Sequence, residues 1–205
     1  MLRQVDADVA ALEEANDRAV VERLAAALGM HAYWGEANSE YAVAWLSRRT
    51  AHMTNHRLAV LDKTLLELEL DGLRLFATHL SAGRLLVDEP HRVEEMEAVL
   101  RVAGDADVLV GDFNAVHPQD AIGAPPPEER LDHVSRRPIE LALELGFTDA
   151  YRALNDDRGW TYTTTQPWAR IDYVFTRLRM RACRVATEAG AASDHFPVVA
   201  ELDAR

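Results

Sequence analysis

Asp107-Val108-Leu109-Val110-Gly111-Asp112-Phe113-Asn114 is an apolar run that ends abruptly in a glycine, a carboxylate and a carboxamide. Three branched aliphatic residues in a row read as a buried strand, and Gly-Asp-Phe-Asn reads as the turn at its mouth. A second acidic turn, Ser193-Asp194-His195, borders another apolar run, Phe196-Pro197-Val198-Val199. Carboxylates and a carboxamide at the mouth of a buried sheet are the oxygen donors that a hard divalent cation requires, so the two turns point to a metal site. Phosphate-ester cleavage is the reaction that most often uses one.

Outward from this stretch, strand and helix patterns alternate. Ala7–Leu12 is a short apolar run, followed by Asn16-Asp17 as a helix cap and the amphipathic stretch Arg18–Leu28. Tyr41–Leu46 and Leu58–Leu61 read as strands, and Thr64–Leu70 is joined to Leu73–Thr78 by Asp71-Gly72, a two-residue hairpin signal. Glu89–Val102 places Val93, Met96, Val99 and Leu100 at helical spacing, with Pro90 in the first turn. The Pro-rich segment around Ala124-Pro125-Pro126-Pro127 is a surface loop. Pro138–Leu145 is a helix closed by Gly146, and Arg170–Thr176, Met180–Thr187 and Phe196–Leu202 are the last strands.

The chain has 205 residues, 48% apolar and 27% charged, enough for one sizeable core, and a single domain over 1–205 is expected. Its net charge of −12 argues against a surface built to grip a long polyanion, and the one lysine, Lys63, leaves a phosphate clamp to arginines such as Arg48, Arg49, Arg57 or Arg84. The lone cysteine, Cys183, forms no internal disulfide and is read as packing. No run approaches the length of a membrane helix and the first residues do not form a signal peptide, so a cytoplasmic location is expected.

The order of short motifs resembles the endonuclease/exonuclease/phosphatase superfamily of metal-dependent phosphoesterases. Asp8-Val9-Ala10-Ala11-Leu12-Glu13-Glu14 is similar to its D-V-x-x-L-Q-E strand, Thr78-His79-Leu80 to T-H-L, Gly111–Asn114 to G-D-F-N, Arg170–Phe175 to R-I-D-Y-V-F and Ser193–Val198 to S-D-H-x-P-V. The resemblance implies a DNase I-like α/β fold, a two-sheet sandwich of mixed, largely antiparallel strands flanked by helices. It implies that Glu14 and Asp194 hold Mg²⁺ or Mn²⁺, with Asp112 a further metal ligand in some members. Asp112 and Asn114 would orient the attacking water, Asp172 would hold His195 as base or as phosphate-binding imidazolium, and His79 would reach the scissile phosphate. The family's opening strand with its Asn has no counterpart ahead of Asp8, so the chain is expected to be an N-terminally truncated member.

The chemistry agrees with these residue types. A phosphodiester anion repels a nucleophile, so cationic groups must neutralise its oxygens, and a carboxylate or an oriented imidazole must take the proton of water. Asp172 interrupts an apolar run, and a buried carboxylate needs a partner. The expected activity is metal-dependent hydrolysis of phosphate esters, diesters foremost, by in-line attack of water. A small or lipid-like substrate is favoured over duplex DNA. The alternative is a catalytically silent member that binds a partner. A serine hydrolase is excluded because there is no Gly-x-Ser-x-Gly elbow, and neither dinucleotide nor P-loop glycine pattern occurs.

Overall fold

The computed structural model describes residues 2–39, 41–127, 129 and 132–204. In chain order its elements are α1 (Leu2–Val5), β1 (Val9–Leu12), α2 (Arg18–Leu28), β2 (His31–Gly35), β3 (Val43–Ser47), β4 (His52–His56), β5 (Leu65–Leu70), β6 (Leu73–His79), α3 (Glu89–Ala103), β7 (Val108–Asp112), α4 (Arg137–Glu144), β8 (Thr148–Asp149), α5 (Ala150–Leu154), β9 (Asp172–Thr176), β10 (Met180–Val185) and β11 (Val198–Leu202).

Local chemistry accounts for most boundaries. Asp17 caps α2 by accepting from the backbone N–H groups of Ala19 and Val20 at 2.8 and 3.1 Å. Asp71 and Gly72, at φ +54° and +80°, make the left-handed two-residue turn that sets Leu70 opposite Leu73 in the β5–β6 hairpin. The expected strand Leu58–Leu61 is instead a turn. Its carbonyls at Leu58 and Leu61 both accept from Asn38 Nδ2 at 2.8 Å, which leaves no ladder to join, while Leu61 plugs the core. The strand lies just upstream, at His52–His56, on the edge of its sheet.

Six strands form one mixed sheet in the order β4-β5-β6-β7-β9-β8, in which β6 and β7 run parallel and the other pairs antiparallel. Alternation divides its two faces. Leu65, Phe76, Leu109 and Phe175 pack beneath α3 and α4, whereas Leu66, Leu75, Val108 and Val174 face a second β layer. That layer is divided into two hydrogen-bonded sheets, β1-β3-β2 and β10-β11. Among the described residues no strand joins β1 to β11. Both pieces still cover the same face, because Val9 and Ala11 of β1 and Val198 and Ala200 of β11 share one apolar cluster with Cys183. The opposite side of β1-β3-β2, with Leu12, Ala44 and Leu46, is closed by Val21 and Ala25 of α2. The result is a helix–sheet–sheet–helix sandwich. Each fully buried leucine, such as Leu65, Leu66 or Leu68, contributes about 1.5–3 kcal/mol of burial.

Gly111 is required where β7 meets β6. At φ +145°, a Cβ on residue 111 would stand 1.8 Å from the Thr78 carbonyl oxygen, so the close parallel approach that brings His79 beside Asp112 excludes any side chain there.

Candidate active site

The site is built at one end of the space between the two β layers. Asp112 ends β7 on the same face as Val108 and Val110, Asp172 opens β9 on the face of Val174, and His79 ends β6 on the face of Leu75 and Ala77. Register aligns them: His79 is paired with Asp112, and Asp112 with Asp172. The turn beyond β7 is pinned on both sides, since Leu80 N–H donates to the Asp112 carbonyl and Phe113 N–H to the Ile171 carbonyl, each at 2.9 Å. Phe113 itself lies under the site, edge-on to Tyr173 and Phe175. Behind it, fully buried Arg170 donates to Asp120 at 2.8 Å and to Asp149 at 2.6 Å, and so fixes the start of β9.

Asp112 and Asn114 form an Asx turn: Asn114 N–H donates to Asp112 Oδ1 at 2.8 Å with Asn114 at φ +47°. Asn114 Nδ2 donates to the Leu80 carbonyl at 3.1 Å and lies 3.3 Å from His79 Nε2. His195 enters from the loop before β11. Its Nδ1 is 2.9 Å from Asp172 Oδ2, its Nε2 is 3.9 Å from Asp112 Oδ2, and its ring centroid is 4.7 Å from that of Tyr162. Ligand atoms of Asp112, Asp172 and His195 all lie within 4.8 Å of one another.

The two residues expected to hold the metal, Glu14 and Asp194, are not among these three. Glu14 is exposed at φ +53°, and Asp194 is exposed with its carboxylate accepting from Ser193 Oγ at 3.3 Å. Glu13 couples to the cluster through Asp172 and His195. Strand alternation explains why: Val9 and Ala11 face the space between the layers, and Glu13 continues that parity.

The electrostatics mark a site with crowded carboxylates. Loss of hydration and then the charge of Asp172 raise the Glu13 carboxyl to about 7. The same two causes raise Asp112 well above the usual carboxylate range, against the opposing pull of His195 and the Asn114 N–H. Burial would lower His195, but Asp172, the hydrogen bond to it, Asp112 and Asp194 outweigh burial and raise it to about 10. Burial, Lys63 and His195 push His79 down to about 3, so its ring is neutral, with Nδ1 lacking a partner among the described residues. Two imidazoles in one site are thus held in opposite charge states.

Lys63 also belongs to the site. It is 6% exposed, and its Nζ donates at 3.3 Å to the Leu80 carbonyl, the same oxygen that accepts from Asn114. Among the described residues no carboxylate pairs with it. The arginines named from the sequence are engaged elsewhere, Arg48 with Asp6, Arg49 with Asp71, Arg57 with Glu36 and Arg84 with Glu129. No helix of the described residues is long and apolar enough to cross a membrane.

Comparison with solved structures finds the same architecture. The 3′ phosphatase NExo from Neisseria, bound to a product DNA hairpin, superposes with a TM-score of 0.77 at 22% identity, covering 96% of this chain and 89% of that one. An AP endonuclease from Archaeoglobus fulgidus gives 0.79 at 20% identity, covering 99% and 91%, and truncated TDP2 from Caenorhabditis elegans gives 0.60 at 16% identity, covering 97% and 85%. No curated protein sequence matches the chain. The Endonuclease/Exonuclease/phosphatase family model matches residues 1–195, and with the site arranged on this fold the chain belongs to that family.

Proposed function

We propose that the chain is a divalent-metal-dependent hydrolase of phosphate esters, with phosphodiesters its main substrates. The observation that carries this reading is the convergence of Asp112, Asp172 and His195 within 4.8 Å, with Asn114 and His79 beside them. The donor set fits Mg²⁺ or Mn²⁺: burial first and then the charge of Asp172 raise the carboxyls of Glu13 and Asp112, and a bound cation relieves both. Asp112, Asp172 and Glu13 would hold it, with exposed Glu14 and Asp194 at the rim. The cation, when bound, neutralises phosphate oxygens and the charge that develops on the leaving oxygen.

The protein's own groups divide the remaining work. Asp112, steadied by Asn114, orients the attacking water and takes its proton. The water oxygen bonds to phosphorus as the bond to the leaving oxygen breaks. His195, held protonated by Asp172, donates to the phosphate and then gives its proton to the leaving oxygen. His79 is neutral and presents an N–H to a nonbridging oxygen, and the Lys63 ammonium supplies fixed positive charge nearby.

The expected tilt towards small esters finds no support, and a structural neighbour, the Neisseria 3′ phosphatase, is bound to a product DNA hairpin. A silent, ligand-binding member is the second reading, favoured by the exposure of Glu14 and Asp194. Hydrolysis of bis-p-nitrophenyl phosphate by the purified chain, with Mn²⁺ or Mg²⁺, with EDTA, and with His195→Ala, separates the two. Metal-dependent turnover lost in the variant supports the hydrolase. Mn²⁺ binding without turnover supports the silent member.

A further inference from the structure

His91 and Glu95 stand one turn apart on α3, so both side chains rise from one face of the helix. Asp62 comes from the segment before β5 and Ser81 from the segment after β6. One donor atom each from Asp62, His91 and Glu95 lies within 4.8 Å of the others, in a set that shares no residue with the catalytic cluster. His91 Nε2 is 3.8 Å from Asp62 Oδ2 and 3.7 Å from Glu95 Oε1.

Two features leave this group short of positive charge. The Glu95 side chain is 0% exposed, and its one ionic partner among the described residues is His91, at 3.7 Å, too far for a hydrogen bond. A buried carboxylate in that position is costly without a closer cation. Ser81 Oγ lies 2.7 Å from Asp62 Oδ2 and 2.8 Å from Glu95 Oε1, yet a hydroxyl carries a single proton. One of the two carboxylates is therefore held at hydrogen-bond distance from an oxygen with no hydroxyl proton between them. A cation shared by the carboxylates offsets both deficits.

The donors define the ion. An imidazole nitrogen beside two carboxylate oxygens suits Zn²⁺ better than Mg²⁺ or Ca²⁺, which favour oxygen alone. Ligand atoms about 2.0–2.2 Å from a tetrahedral Zn²⁺ stand roughly 3.3–3.6 Å from one another. The observed 3.7 and 3.8 Å need only a small closure, and the exposed side chains of Asp62 and His91 have room to make it. Water on the open side supplies the fourth ligand.

The cluster also stands behind the active site. Ser81 N–H donates to Glu95 Oε2 at 2.7 Å, and the residue before it, Leu80, offers the carbonyl on which Lys63 and Asn114 meet. Asp62 directly precedes Lys63. We propose that Asp62, His91 and Glu95 form a second cation site, selective for Zn²⁺, that ties α3 to the two segments carrying Lys63 and Leu80.

The test is calorimetric titration of Zn²⁺ into metal-stripped Asp112→Asn protein, in which the catalytic cluster has lost a ligand and the second set is intact. One equivalent is expected to bind, and adding His91→Ala or Asp62→Asn is expected to weaken it at least about tenfold. Zn²⁺ is expected to raise the melting temperature of Asp112→Asn and not that of either double variant. Both added substitutions fall on exposed side chains, and melting without metal checks that the fold is kept. The His91 ring resonances are expected to shift on adding Zn²⁺. No uptake of Zn²⁺ by Asp112→Asn, or equal affinity with and without His91, overturns the proposal and leaves the phosphoesterase reading where it stood.

Discussion

His195 Nδ1 lies 2.9 Å from Asp172 Oδ2, although the two residues belong to different β layers and are 23 positions apart. The contact closes the site across the sandwich and holds the imidazole protonated. In cation-free protein His195 is expected to titrate near 10, and Asp172→Asn to bring that titration down by several units, followed by NMR of the ring protons. Turnover of the variant is expected to fall by about 10²–10⁴-fold. Because the folded pKa lies above the ordinary 6.5, the pair contributes full stability below that pH and loses it as pH rises towards 10. Asp172→Asn is therefore expected to flatten the alkaline arm of a stability profile recorded in EDTA.

Glu13 and Glu14 are neighbours with opposite expectations. Glu13→Gln is expected to weaken Mn²⁺ binding by at least the ~10–100-fold that loss of an outer-shell partner costs, and Glu14→Gln by much less, measured by isothermal titration. The Glu13 carboxyl is raised from 4.5 to about 7, so cation-free protein loses stability as pH climbs through that window. Above pH 7 in EDTA, Glu13→Gln is expected to melt higher than the wild type, and identical melting would argue that Glu13 does not share the site.

Lys63 is a buried ammonium with one hydrogen bond at 3.3 Å, the Tyr41 ring 5.6 Å away and no carboxylate partner among the described residues, an arrangement that an arriving anion would relieve. Lys63→Met keeps the bulk of the stem and removes the charge. It is expected to raise the inhibition constant of inorganic phosphate about tenfold or more. Its melting temperature is expected to stay level or rise. Unchanged phosphate inhibition would place the ammonium outside the substrate's reach.

Much of this was legible before the structure. The Asp71-Gly72 hairpin, the Asp17 cap and the apolar runs at Val108 and Val174 follow from local rules, and they suffice to bring Asp112, Asn114 and Asp172 to one end of a sheet. What escaped depended on partners distant in sequence. His52–His56 is a strand because it pairs along β5, and its polar residues suit an edge, so no hydrophobic period betrays it. Leu58–Leu61 has a strand's composition, but Asn38 takes its carbonyls. Lys63 was discounted as solitary, yet the fold buries it beside His79.

Arg170 tests whether the motif around Asp172 is partly architectural. Its guanidinium is fully buried between Asp120 and Asp149, 4.5 Å above the Tyr173 ring, while Asp149 also caps α5 through Tyr151 N–H at 3.0 Å. Arg170→Met fills much of the volume but takes the guanidinium from buried Asp149 and leaves Asp120 with Arg152 as its remaining cation, a loss of about 3–5 kcal/mol. Urea unfolding is expected to show a collapsed midpoint or no folded baseline at neutral pH. The double variant Asp120→Asn with Asp149→Asn in the Arg170→Met background removes the stranded charges and is expected to recover part of the loss. Recovery of the midpoint without recovery of turnover would mean that the ion cluster also sets the position of Asp172, since β9 begins two residues beyond the guanidinium.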